Sequence, residues 1–358
     1  MHPHPAQHIA SRPRLRPGRL ARLGFRLALF LLAATASTST GSVAWADSAA
    51  TPGRVVPPVA ASGPVVAPSP VVAAPPAVFD AVKRVVAIGD IHGDYEKFTA
   101  VLKMCQITDA QGRWVAGPTH LVQTGDVLDR GPDSKKVMDL LMDLEGQASK
   151  AGGRVHALLG NHEYMTVMGD LRYVSDGELA AFGEGPRGTP VGREPIGTFP
   201  KYRAAFSKEG KYGRWLFGHN AIVKINGTLF MHGGISPRYA RRDIVELNQA
   251  IRAELRGERE ARLGVGADPE GPLWFRGLAE SLPPQTLDAY LTQLFAAQSA
   301  RRIVMGHTIQ ESGISLRAGD RLALIDVGMS RQTINGAASC LVIEPGPSGA
   351  PDRVSIRR

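Results

Sequence analysis

From residue 82 to residue 343, short apolar runs closed by glycine or a polar residue alternate with longer stretches whose apolar positions recur every three or four residues. The first pattern predicts buried strands and the second amphipathic helices, so their alternation predicts α/β architecture. Strands are expected over 85–88, 120–123, 155–159, 228–231, 303–305, 322–325 and 340–343. Asp94 can cap a helix that carries Phe98, Val101, Leu102 and Cys105 on one face. Ser134 leads into another, with Val137, Leu140, Leu141 and Leu144 turned inward. Residues 241–262 pattern as a helix around Ile244, Leu247, Ile251 and Leu255, its charges reading as a solvated face, and 286–298 give one more.

Two regions break the rhythm. Residues 168–218 contain a stretch too rich in glycine and proline for a core, with short helices near 179–182 and 202–206. This insert reads either as a lid over a site or as a surface insertion. At the front, residues 1–46 have arginines, an apolar run from Leu27 to Ala36 and a small-residue exit at Ala44-Trp45-Ala46, the three parts of a secretory signal. The apolar run is short for a bilayer span, and no cysteine follows it to take a lipid, so no stable membrane anchor is expected. The expectation is export, to a periplasm. Residues 47–80 form a Pro/Ala-rich linker expected to be disordered, with eight prolines between 48 and 78, and 346–358 are expected to be a disordered tail.

Charge changes the picture less than it promises. The net charge of +9 includes six leader arginines with no acidic partner, and taking those from the 42 basic residues leaves 36 against 33 acidic ones. A nucleic-acid partner is therefore not expected. The two cysteines, Cys105 and Cys340, sit far apart in apolar settings and read as separate buried thiols.

The chemistry lies where the strands end. Five apolar runs close on a residue able to bind a metal: Asp90 and His92 after Gly89, Asp126 after Gly125, Asn161 and His162 after Gly160, His232 before Gly233, and His307 after Gly306. These nitrogen and oxygen donors suit a pair of divalent transition ions. Two such ions clamp a phosphoryl group and activate a water between them, which requires one bridging carboxylate. Asp126, directly after its strand and central among the motifs, is the choice.

Together GDIHG, GDVLDRG, GNHE, HGG and GHT resemble the signature of the phosphoprotein phosphatase family of calcineurin-like metallophosphoesterases, and DRGPDS, GDLRYVS and GPLWFRG resemble its Shewanella-like branch. The resemblance implies a four-layer α/β/β/α sandwich of two mixed sheets over 81–345, with the helical and loop insert at 168–218. It implies that Asp90 and His92 hold a first ion, that Asp126 bridges, and that Asn161, His232 and His307 hold a second. His162 would be the general acid, oriented by Asp129, and Arg130 would bind phosphate with help from Asn161 and Arg276. The ions would be manganese, with iron or zinc as alternatives, and the partner a phosphorylated protein or peptide. Alternatives are a general phosphomonoesterase, a dinucleoside tetraphosphatase and an inert phosphate-binding module. Glu163 and Asp326 read as supports behind the ligands. His120, His156 and His219 read as structural histidines, and Tyr164, Tyr239 and Trp274 as groove or packing residues.

Overall fold

The computed structural model describes residues 74–186, 198–260, 264–280, 282–347 and 350–358. The expected leader at 1–46, most of the linker at 47–80 and the centre of the insert at 187–197 lie outside the described residues.

The chain enters through β1 (Val78–Phe79), β2 (Val85–Ile88), α1 (Tyr95–Met104), β3 (His120–Gln123), α2 (Ser134–Lys150), β4 (Arg154–Ala157) and α3 (Asn161–Met168). All four residues of β2 are buried, so the sheet is covered on both faces at this strand. The Asp94 carboxylate caps α1 by accepting from the Lys97 backbone N–H at 3.1 Å, and α1 buries Phe98, Val101 and Leu102. The insert follows with α4 (Asp176–Ala181), α5 (Pro200–Ala205) and α6 (Lys211–Phe217). Then come β5 (Ile222–Ile225), β6 (Thr228–Met231), α7 (Ile244–Leu255), α8 (Pro284–Gln298) and β7 (Arg302–Met305). The chain closes with β8 (Ser315–Arg317), β9 (Leu322–Leu324), β10 (Cys340–Glu344) and β11 (Arg353–Arg357).

These strands form two mixed sheets, in the orders β1-β5-β6-β7-β9-β8 and β11-β10-β2-β3-β4. In the second sheet β2, β3 and β4 run parallel, so the residues that follow them emerge at one edge. In the first, β6 and β7 are parallel and send His232 and His307 to an edge of their own. The two edges meet: the His307 backbone N–H donates to Asp90 Oδ1 at 3.1 Å, and the His232 ring reaches the Thr124 carbonyl at 3.0 Å. This is the α/β arrangement of two mixed sheets that the sequence implies.

Four expectations need correction. The linker does not run to residue 80, because β1 pairs in parallel with β5 and Ala77 ahead of it is buried. Cys105 and Cys340 are not separate thiols: they form a disulfide across 235 residues, because β10 folds back beside β2 and meets the end of α1. The tail is ordered where β11 pairs with β10 in five residue pairs, anchored by ion pairs of Arg302 and Arg301 with Asp352 at 2.7 and 2.9 Å. Finally, α7 is not solvated along its whole charged face. Its Glu254 is buried and accepts from the backbone N–H groups of Val265 and Gly266, both at 2.8 Å.

The insert is also more than a loop. Leu179, Tyr202, Phe206, Tyr212 and Leu216 are buried, and Phe182 packs edge-on to the Tyr202 ring with centroids 4.9 Å apart. Aromatic rings of this size supply a local core even where glycine and proline punctuate the chain.

Candidate metal centre

Two of the glycines that precede strand-end ligands have a steric reason. A Cβ on Gly160 would lie 2.3 Å from Asp126 Oδ1, and one on Gly306 would lie 2.4 Å from Asp90 Oδ1. The turns themselves are tight. His92, Asp126, Asp129, Arg130 and His307 all have φ between 45° and 69°, a left-handed conformation that costs a non-glycine residue about 1 kcal/mol or more. Such strain persists where the surroundings over-determine it.

Glu163 is one source of that constraint. Its buried carboxylate accepts from the backbone N–H groups of Asp126, Val127 and Leu128 at 2.9, 2.9 and 3.2 Å, and from Gly160 at 2.7 Å. One side chain thus caps α3 and holds the Asp126 loop, the supporting role its position in the sequence suggests.

The residues meet in a cleft of about 330 Å³ lined by Asp90, His92, Asp126, Arg130, Asn161, His162, Arg276 and His307, with Asp326, Ile309 and Thr333. Two groups within it have donor atoms close enough to hold a cation: His92, Asp126 and His162, and Asp126, His232 and His307. Asp126 belongs to both. Its Oδ2 lies 3.6 Å from His92 Nε2, 3.2 Å from His232 Nε2 and 3.7 Å from His162 Nε2.

The tautomers follow from the acceptors. His92 Nδ1 is 2.9 Å from the Leu128 carbonyl, His232 Nδ1 is 3.0 Å from that of Thr124, and His307 Nε2 is 3.1 Å from that of Trp274. A carbonyl only accepts, so each of these nitrogens carries the proton and leaves the other as a lone pair. His232 Nε2 then faces Asn161 Oδ1 at 2.8 Å and Asp126 Oδ2 at 3.2 Å. Acceptor atoms crowded together in this way repel unless a cation lies among them, so the donor set fits a metal ion. Burial, helped by neighbouring cations, pushes the pKa values of His92 and His307 far down, which keeps both rings neutral and able to ligate.

The carboxylates tell the same story. Burial, then the charges of Asp326 and Asp126, raise the Asp90 carboxyl well above the usual range. Burial works the same way on Asp126, but the His232 and His162 rings outweigh it and hold that carboxyl well down.

His162 differs from the other three histidines. Its Nδ1 meets a carboxylate, Asp129 Oδ2, at 2.5 Å rather than a carbonyl. Burial opposes its charge, yet Asp126, the hydrogen bond to Asp129 and the Asp129 charge push its pKa up to about 9. The ring is a proton donor rather than a lone-pair ligand at neutral pH. Arg130 stands beside it, its guanidinium 5.1 Å from the centroid of the Tyr173 ring, which also lies 5.1 Å from the His162 ring. Arg276 donates to the His307 carbonyl at 2.5 Å and to Thr308 Oγ1 at 3.0 Å, across the cleft.

Every residue singled out for metal, acid or phosphate chemistry therefore lies on this cleft, except two that are fully buried behind it: Asp129, which meets His162, and His232, which meets Asp126 and Asn161. The set-aside groups pack elsewhere: His156 Nε2 meets His120 Nδ1 at 3.1 Å, His219 meets Glu145 at 3.2 Å, and Tyr164 donates to Glu254 at 3.1 Å. Tyr239 donates to Asp268 at 2.7 Å, and Trp274 bonds the Gly266 carbonyl at 2.8 Å while its own carbonyl serves His307. Sequence reasoning gave no role to Tyr173 or Glu178, which reach the site from the insert; Tyr173 lies within the GDLRYVS motif, whereas no local pattern marks Glu178.

The family model for calcineurin-like phosphoesterases matches residues 83–311. Shewanella-like protein phosphatase 2 of Arabidopsis thaliana is 30% identical over 298 residues, covering 74% of this chain and 76% of its own. Shewanella-like protein phosphatase 1 of Plasmodium berghei is 27% identical over 268 residues, covering 72% of this chain and 71% of its own. Among solved structures, the cold-active protein-tyrosine phosphatase of a psychrophilic Shewanella superposes with a TM-score of 0.64 at 30% identity, covering 76% of this chain and 78% of that one.

Proposed function

Since the chain belongs to the calcineurin-like phosphoesterase family, in its Shewanella-like phosphatase branch, and is a metal-dependent phosphatase, we propose that it hydrolyses phosphate monoesters on protein side chains with two divalent ions. The observation that carries this reading is the place of Asp126 Oδ2 between two lone-pair ring nitrogens, 3.6 Å from His92 Nε2 and 3.2 Å from His232 Nε2. Asp90 and His92 would complete one ion's shell, and Asn161, His232 and His307 the other's. When bound, the pair of ions supplies a water acidic enough to attack phosphorus near neutral pH and offsets the charge of the ester.

The chain's own residues do the rest. Arg130 and Arg276, whose planar guanidinium groups match phosphate oxygens, would grip the ester from both sides of the cleft with Asn161. His162, kept protonated by Asp126 and Asp129, would deliver its Nε2 proton to the leaving oxygen, and Asp129 would hold the ring and its charge. This acid pair and the arginines support a monoesterase over the dinucleoside tetraphosphatase and the inert binding module. Manganese fits the mixed oxygen and nitrogen donors, as iron or zinc would.

We further propose that the protein is exported to a periplasm, which the leader-like residues 1–46 support and with which the Cys105–Cys340 disulfide agrees. The insert would wall the cleft through Tyr173. A panel of phosphotyrosine, phosphoserine and phosphothreonine peptides, run beside diadenosine tetraphosphate on the metal-loaded protein, tests the substrate class. Turnover of the peptides alone supports the proposal, and turnover of the dinucleotide alone overturns it. A mature N-terminus upstream of Asp47 would overturn the proposed cleavage site.

A further inference from the structure

The Asp129–Gly131 loop carries both the partner of His162 and the phosphate-gripping Arg130, and its backbone at Asp129 and Arg130 is left-handed, with φ of 69° and 65°. One short stretch of the insert holds all three residues. The Glu178 carboxylate accepts from the Asp129 backbone N–H at 3.0 Å, the Tyr173 carbonyl accepts from the Arg130 N–H at 2.9 Å, and Ser175 Oγ donates to the Gly131 carbonyl at 2.9 Å. A Cβ on Gly177 would lie only 2.5 Å from Pro132, so α4 sits directly against this loop.

Glu178 is the centre of this clamp. It is fully buried, and besides Asp129 its carboxylate accepts from Ser134 Oγ at 2.8 Å and from the Tyr202 hydroxyl at 2.7 Å. The Asp129 side chain has no comparable support. Its Oδ2 is committed to His162, and its Oδ1 is buried without a hydrogen-bond partner. The position of the Asp129 carboxylate therefore depends on its backbone, and that backbone is held from Glu178. Keeping two buried carboxylates so close is costly: burial and the Asp129 charge push the Glu178 pKa up to about 8.

From this geometry we propose that Glu178 is a positioning residue for the His162–Asp129 acid, so that the insert sets how well the leaving oxygen is protonated. The inference rests on His162 acting as the acid. A merely structural Glu178 would affect all substrates alike, whereas a misplaced acid penalises poor leaving groups most.

The test compares wild type with Glu178→Ala, both loaded with manganese, on dinitrophenyl, nitrophenyl and phenyl phosphates. The expected result is a loss of about tenfold in kcat for phenyl phosphate and less than about twofold for dinitrophenyl phosphate, with metal content unchanged. In a His162→Asn background, Glu178→Ala should add nothing for phenyl phosphate. Equal losses across the series, no loss, or full additivity with His162→Asn would overturn the proposal. Should Glu178→Ala fail to fold, Ser134→Ala removes one donor from the same carboxylate and must show the same leaving-group trend at smaller size. Wild type inactive on every ester would instead overturn the phosphatase reading on which the inference stands.

Discussion

The Nδ1 of His162 and the carboxylate of Asp129 lie 2.5 Å apart, both side chains almost wholly buried, and among the described residues no other hydrogen-bonds that Asp129 oxygen. In Asp129→Asn the amide oxygen can still accept from Nδ1, but the negative charge that favours the doubly protonated ring is gone. The expected result is a fall of about a hundredfold in kcat for a phenyl or alkyl ester, with KM changed less than about threefold. Steady-state kinetics on the loaded enzyme check this; a rise in KM alone would place Asp129 in binding.

The same pair makes stability depend on pH in the metal-free protein. The folded pKa of His162, about 9, lies above the unfolded value of about 6.5. A raised pKa contributes stability that is fully present below the unfolded value and is lost as pH rises through the folded one. That contribution is on the order of 3 kcal/mol. Chemical denaturation of metal-free protein between neutral and strongly alkaline pH should show this decline, and His162→Asn should flatten it.

Asp326 lines the cleft next to Asp90, and its charge helps push the Asp90 carboxyl up. Its Oδ1 accepts from the Gly328 N–H at 2.8 Å, a bond an asparagine oxygen can keep. Asp326→Asn should therefore stabilise the metal-free protein by about 1 kcal/mol and narrow the gain in Tm on adding metal. Thermal melts with and without manganese read both effects. A metal-free variant less stable than wild type would contradict the repulsion.

The Cys105–Cys340 disulfide closes a loop across a separation of 235 residues and ties α1 to β10. Replacing both cysteines by serine should cost about 2–5 kcal/mol, measured by denaturant unfolding, while metal content and KM stay as in wild type.

Much of the site was legible in the sequence because its parts are local. Each ligand lies just after an apolar run and beside a glycine, and at two of these glycines the reason is steric: Gly160 and Gly306 stand where any side chain would strike Asp126 or Asp90. Parallel strands then bring those local motifs to one edge of each sheet. What stayed hidden depends on contacts between distant segments. Glu178 lies in a glycine-rich stretch and gains its meaning only from the Asp129 backbone 49 residues away. The disulfide needed β10 to return beside β2, which no spacing states, and β11 is a short edge strand that ion pairs at Asp352 hold in place. Arg252 and Glu254 looked solvated because their partners come from other elements, Asn220 on one side and the loop at Val265 on the other.

Metal stoichiometry tests the central claim most directly. Wild type, Asp126→Asn and His92→Asn would be stripped, reloaded with manganese, desalted and measured by elemental analysis beside nitrophenyl phosphate turnover. The account predicts about two ions per chain in wild type, about one in His92→Asn with the fold intact, and loss of ions and activity together in Asp126→Asn. Full turnover by stripped wild type, or two ions retained and undiminished activity in Asp126→Asn, would contradict it.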